Sequence, residues 1–593
     1  MDRDKILQLT WLEVVILFWI GLININLCLV LLGIFYPSLM LFLSITWLFL
    51  IAIGHRKNFW RIRKIGKMEK AVLVGILLWS LILSIFTVPT IFGGRDEGSF
   101  SGTAFLIRKN HRPIDRGKII NTFAQIYGEG KALNFPGFYY QKEGDNFVLK
   151  SQFLPAYPAY LANFANPKNP NWLKLANLLP LLIFGLAFYL TLEALTANRK
   201  KSVAGLLLLL SLAPMILFYK FTLSEIFFAS LLWSSLYFLI KYLRCFKKPN
   251  GSEQRLWFYW FIFLPLWPAL FTRIEALPVI FFLIIILILT THQSLQKTSY
   301  QAPIFLAIIF SFLSIILFAD FFVNVLKSVF YSLPSPGTDM STMKQTTWLP
   351  KNWRDFYLVK VFYTYNLLPL FLFAGGAIYT LYKKRDWFYL LPLFFWSPTL
   401  FYLVDANISI DHPWMLRRFV FSILPLAVMY TILFFGENRW QGKKVGSLIV
   451  GLLVVVNLFI GYNFLVFRQN DGLLKETKKL AQKFGSDDLV LISREASGSG
   501  WSLISAPLRN IYQRQAVYFF NPNDYAKINS SNYDHIYLVA DLAELDLYRK
   551  ITKSALKSED YVIHNKLILP TKDPLKFPGF VNKKVDGKIF QLK

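Results

Sequence analysis

Apolar residues in this chain gather in long runs, not in the alternating or one-faced patterns of a soluble fold. The runs are Trp11 to Gly33, Leu39 to Ile53, Ala71 to Phe92, Trp172 to Leu195, Val203 to Tyr219, Ser224 to Ile240, Leu256 to Phe271, Ala276 to Leu289, Pro303 to Phe322, Phe356 to Leu381, Trp387 to Val404, Phe419 to Phe435 and Val445 to Val466. A bilayer core about 30 Å thick takes about 20 apolar residues per helix, because main-chain groups in lipid must find their hydrogen bonds within the helix. The pattern predicts a polytopic α-helical membrane protein of about thirteen spans. If the short pair on either side of Arg273 is a re-entrant V, the number falls to about eleven and every later connection keeps its side.

Charge orients the spans. The connections Arg56 to Lys70, Arg199 to Lys201, Lys241 to Arg255, Thr290 to Gln301, Lys383 to Arg385 and Glu437 to Lys444 together hold 22 Lys and Arg. The short connections of opposite parity hold only Lys220, Arg273, Arg417 and Arg418. Positive loops face the cytoplasm, so a cytoplasmic N-terminus is expected. The loops Gly93 to Asn171 and Val323 to Asp355, and everything after Phe467, then fall outside. Expected domains are N-terminal spans over 1–92, a large outer loop over 93–171, a transmembrane core over 172–467 and an outer domain over 468–593. In that tail, apolar runs at Leu489 to Ile492, His535 to Ala540 and Val562 to Leu569 alternate with polar or helix-like stretches, which predicts a small α/β domain.

Composition agrees and excludes alternatives. The 593 residues are 55% hydrophobic with a formal net charge of +29, and the mean hydropathy is +0.43; a soluble enzyme is excluded. The cations sit in short loops between apolar runs, a topological pattern, so no nucleic-acid partner is expected. Cys28 lies in the first apolar run and Cys245 in a basic loop, leaving no outer disulfide framework. The first run is too long for a signal peptide and reads as a retained anchor, in an integral protein of the bacterial plasma membrane.

Several polar groups at the outer ends of spans could carry chemistry. Asp96 and Glu97, in Arg95-Asp96-Glu97, stand where the chain leaves the third span. A carboxylate there, between lipid and water, suits a general base; the plainer reading is a capped helix start. Phe153-Leu154-Pro155-Ala156-Tyr157-Pro158 closes the same loop and suits a rigid return to the bilayer with Tyr157 at the headgroups. Lys220 and Glu225 flank one outer turn, Arg273 and Glu275 another, and Arg417-Arg418 opens the twelfth run. Cations on this side run against the topological bias and suit a lipid phosphate, although snorkelling explains them as readily. His412, in an outer loop, could be acid, base or ligand, but no second His or Cys completes a metal-ligand spacing. The chain has no Walker loop and no dinucleotide fingerprint, so a soluble nucleotide is unsupported.

Taken in order, Arg95-Asp96-Glu97, the Phe153-to-Pro158 motif, Leu223-Ser224-Glu225, Thr272-Arg273-Ile274-Glu275 and Arg417-Arg418-Phe419 resemble the GT-C superfamily of membrane glycosyltransferases. The likeness is to the branch with protein O-mannosyltransferases and the lipid A aminoarabinose transferase. The chain departs from that branch in an additional opening hairpin and in lacking the Lys-Pro-Pro of the aminoarabinose transferase. The resemblance implies a hexosyl or pentosyl transferase with a polyprenyl-phosphate-linked sugar as donor. It implies Asp96 as catalytic base or acceptor-orienting carboxylate, supported by Glu97. A lipid phosphate would be held by Arg418 with Arg417, Arg273 and Lys220, and Tyr157, Glu225 and His412 would serve the substrate. No cofactor is demanded, a divalent cation being the one candidate, and sugar and acceptor stay open. The rival readings are a lipid or polysaccharide flippase and a non-catalytic assembly subunit; the latter predicts an Asp96 that faces solvent, not a cavity shared with Arg273 and Arg418.

Overall fold

The computed structural model describes residues 9–56, 62–94, 96–246, 260–291, 355–405, 410–437 and 443–593. The run Pro303 to Phe322, Arg95 and all but the last residue of the outer loop Val323 to Asp355 lie outside the described residues. The other apolar runs are helical, in whole or in pieces. Among the described residues six helices are long and apolar enough to cross a membrane, or eight if each of two bent pairs is one span, and four more apolar helices are shorter. The described residues thus do not confirm a count of thirteen spans.

Prolines explain much of the difference. Val203 to Tyr219 is split into Arg199–Ser211 and Ala213–Tyr219, bent by 64°, with Pro214 in the first turn of the second piece, where it has no N–H for the preceding turn. Phe356 to Leu381 is Tyr357–Thr364 followed by Leu368–Lys383 at 110°. Asn366 takes a left-handed φ of 54° at that corner and Pro369 starts the second helix. Trp387 to Val404 contains Pro392 and a 3-10 turn at Ser397–Leu400 yet remains one of the six long helices.

The helix Ser224–Phe246 is the hub, buried on all sides through its apolar stretch and packed along Leu178–Thr196. Halfway along it, Trp233 lies 5.2 Å from Phe188 and 5.8 Å from Trp396, and its Nε1 donates to the Phe421 carbonyl at 2.9 Å. At one end of the helix layer, buried carboxylates are tied to basic residues. Glu13 caps its own helix through Thr10 and pairs with Lys241 and Tyr237, and Glu69 pairs with Arg63 and with Arg199 at 3.0 Å.

At the other end sit the loop after the third helix and the C-terminal region. The loop contains the helix Asp96–Asn110 and a four-stranded sheet of Ile114–Asp115, Gly130–Lys131, Phe138–Glu143 and Asn146–Ser151. The C-terminal region is the expected α/β unit. Gln515–Tyr518, Leu489–Ile492 and Ile536–Asp541 run parallel, and the long hairpin Lys557–Leu569 and Gly579–Gln591 extends the sheet antiparallel. Leu106, Ile120 and Phe123 share one apolar core with Leu491, Val517 and Leu538, so loop and C-terminal sheet are packed as one body on the helix ends.

Candidate active site

Gly93–Gly94 pairs antiparallel with Ser502–Leu503, so the C-terminal region holds the chain just before Asp96. Gly94 has a φ of 107°, and a Cβ added there would lie 2.5 Å from the Trp501 carbonyl oxygen. Only glycine permits both the conformation and the approach. Gly94→Ala is expected to cost about 1–3 kcal/mol of stability and to displace Asp96. Thermal unfolding in detergent checks it; a wild-type unfolding temperature would show that the pairing is dispensable.

Hydroxyls fix the first turn of the helix that Asp96 starts. Thr222 Oγ1 donates to the Glu97 carbonyl at 3.0 Å and meets Ser101 Oγ at 2.9 Å and Thr90 Oγ1 at 2.5 Å. The adjoining turn places Glu225 in the first turn of the hub helix, where a carboxylate is favoured by the helix dipole.

Asp96, Ser224, Arg273, Glu275, Arg417 and Arg418 come together around a cavity of about 300 Å³, Glu225 standing just behind its wall. Their charges alternate. Arg417 Nη2 donates to Asp96 Oδ2 at 2.7 Å, and Arg417 Nε is 2.7 Å from Glu225 Oε1. The same Glu225 oxygen accepts from Arg273 Nη1 at 2.7 Å. Arg273 Nη2 reaches Glu275 Oε1 at 2.6 Å, and that oxygen also takes Arg418 Nη1 at 3.1 Å and the Tyr402 hydroxyl at 2.6 Å. Removing one partner of a pair as buried as Arg273–Glu225 would strand a charge at a cost of about 3–5 kcal/mol. Of the three carboxylates only Asp96 is open, its side chain 38% exposed against 1% for Glu225 and 12% for Glu275. Burial pushes the Asp96 carboxyl up, but Arg417, with Arg418 and Arg273 behind it, outweighs this and holds it below the usual carboxylate range. Because each carboxylate is committed to arginine, these side chains do not fit a divalent cation, and among the described residues no cluster of three His, Cys, Asp or Glu could hold one.

Four residues singled out in the sequence lie elsewhere. Lys220 donates to the carbonyls of Phe464 at 2.8 Å, Leu465 at 3.0 Å and Phe467. It caps the C-terminal end of the helix Lys443–Val466, its ammonium committed to these carbonyls. Lys220→Met should therefore lower stability by about 1–3 kcal/mol; unchanged thermal unfolding in detergent would contradict this. Tyr157 is buried, its hydroxyl on Asn177 Oδ1 at 3.1 Å and its ring 5.4 Å from Phe100, so it supports the helix of Asp96 without lining the cavity. His412 is fully buried where the membrane part meets the C-terminal region. Its ring nitrogens meet the Tyr365 hydroxyl at 3.1 Å and the Asp573 carbonyl at 2.8 Å, and its main chain bridges to Thr571. Glu97 is buried and outside the cavity wall. Conversely, Tyr402 and Tyr139 belong to the site and carried no sequence signal, since a lone Tyr in an apolar run or a polar loop is ordinary; Gln152 joins them from the run that closes the outer loop.

No family model matches the sequence, and no curated protein sequence does. Solved structures do match. ArnT from Cupriavidus metallidurans in the apo state is 10% identical, with a TM-score of 0.51 over 88% of this chain and 97% of that one. ArnT bound to undecaprenyl phosphate gives 0.49 at 10% identity over 88% and 98%. The Archaeoglobus fulgidus oligosaccharyltransferase in the apo form gives 0.48 at 12% identity over 86% and 74%. The chain thus shares the fold of ArnT from Cupriavidus metallidurans.

Proposed function

We propose that the protein is an integral-membrane glycosyltransferase that moves a sugar from a polyprenyl phosphate to an acceptor hydroxyl at the extracytoplasmic surface of a bacterial plasma membrane. The observation that carries this reading is the cavity itself: one solvent-open carboxylate, Asp96, faces arginines in a pocket at the helix ends. The acceptor oxygen attacks the anomeric carbon and its proton passes to Asp96. The bond from that carbon to the phosphate oxygen breaks, and the electron pair stays on the phosphate. Arg418, with Arg417 and Arg273 as neighbours, stabilises the charge that collects there. Because Asp96 shares its cavity with Arg273 and Arg418, the non-catalytic reading loses its main support. The charges gather at helix ends, whereas a transporter of the usual repeat-built kinds keeps its site near the bilayer midplane.

The test is equilibrium binding to purified protein in nanodiscs. Polyprenyl monophosphate should bind and the uncharged polyprenol should bind far more weakly; equal affinity for the two would contradict the reading.

A further inference from the structure

The cavity has two chemically different walls. On one, the charged side chains of Asp96, Arg273, Glu275, Arg417 and Arg418 are occupied with each other or with Glu225 and Tyr402. The other is formed by Tyr139, Gln152 and Phe153 of the loop sheet and the segment that follows it. Strand alternation explains Tyr139: its neighbours Phe138 and Tyr140 turn into the shared apolar core, which leaves Tyr139, 41% exposed, on the cavity side. The Gln152 N–H donates to the Gly137 carbonyl at 3.0 Å and the Phe153 N–H to Ser151 Oγ at 3.2 Å, so the main chain of this wall is fixed. The Phe153 ring is held 4.4 Å from that of Phe100. Neither the Tyr139 hydroxyl nor the Gln152 amide has a hydrogen-bond partner among the described residues, and no cation lines this wall.

We infer that this wall seats a sugar ring, an assignment that rests on the transferase reading above. A sugar offers an apolar C–H face for Tyr139 and Phe153 and neutral hydroxyls for Tyr139 and Gln152. A hydrocarbon chain would leave the hydroxyl and the amide unpaired, and an anion would find its cations across the cavity. The ring belongs to the donor or to the acceptor, since both must meet at Asp96.

The experiment compares wild type, Tyr139→Ala, Tyr139→Phe and Gln152→Ala in nanodiscs. Each is titrated with polyprenyl phosphate, with its glucosyl and mannosyl esters, and with neutral oligosaccharides. For a donor sugar, Tyr139→Ala loses about 3- to 10-fold of the affinity gained by glycosylation, with bare polyprenyl phosphate bound as before. Tyr139→Phe keeps the stacking part of the gain. For an acceptor sugar, that gain is unchanged and oligosaccharide binding falls instead. If the variants move neither quantity, or wild type shows no sugar-dependent binding, the assignment is overturned. Failure of the underlying reading has a different signature: bare polyprenyl phosphate then binds no better than polyprenol in wild type itself.

Discussion

Asp96→Asn should lower turnover by about 10²- to 10⁴-fold, the usual size of a lost general base, while donor affinity stays within a few-fold. Asparagine keeps the size and one hydrogen-bond acceptor for Arg417 but cannot take the acceptor's proton. Asp96 is the carboxylate able to do this because Glu225 and Glu275 are enclosed among arginines and, for Glu275, the Tyr402 hydroxyl. The ion pair has a pH consequence of definite sign. With its pKa held below the usual carboxylate range, Asp96 is deprotonated throughout neutral and mildly acidic conditions. Any transfer rate of the wild-type protein should then show no acid limb from this group between about pH 5 and 8. An Asp96→Asn variant with full activity would remove Asp96 from the chemistry.

Arg418→Ala should lower turnover by about 10²- to 10³-fold, as loss of a group stabilising developing negative charge does, and should weaken donor binding as well. Arg417 is engaged on both sides, by Asp96 and Glu225. Arg418 has a single carboxylate neighbour, Glu275, and its guanidinium lies 5.6 Å from the Tyr402 ring. With one carboxylate partner against two for Arg417, it is the less committed of the pair. Arg418→Lys should recover only part of the loss, because a point charge cannot reproduce the planar fork. A donor titration on both single variants decides. Unchanged constants in Arg418→Ala with loss of activity in Arg417→Ala would transfer the role to the neighbour.

The sequence order of these residues made the site legible before its geometry. Asp96, Arg273, Glu275, Arg417 and Arg418 stand at the ends of separate apolar runs, and a charge at that depth needs a partner or a cavity. Depth is not direction, however. Lys220 lies at a matching helix end but reaches across to the carbonyls of a helix more than two hundred residues later, and no local pattern announces that contact. His412 looked like a loop histidine because its partners, Tyr365 and Asp573, come from two distant segments. In the fold, hydropathy marks an apolar run but averages over a bend, so the corners near Pro214 and Asn366 passed as straight helices. The strands Leu489–Ile492 and Ile536–Asp541 are apolar runs in a polar tail and were readable. Gly579–Gln591, with Lys583, Lys584 and Lys588 along it, resembles a surface loop until its hairpin partner is in place.

The most direct test of the account follows the label in membranes supplied with polyprenyl-phosphate-linked radiolabelled sugars. Membranes containing the wild-type protein should move label out of the polyprenyl-phosphate pool faster than membranes without it, and the Asp96→Asn protein at equal abundance should not. Transfer at the same rate by wild type and Asp96→Asn, or no transfer by wild type from any of the sugars supplied, would contradict the assignment of this cavity as a glycosyl-transfer site.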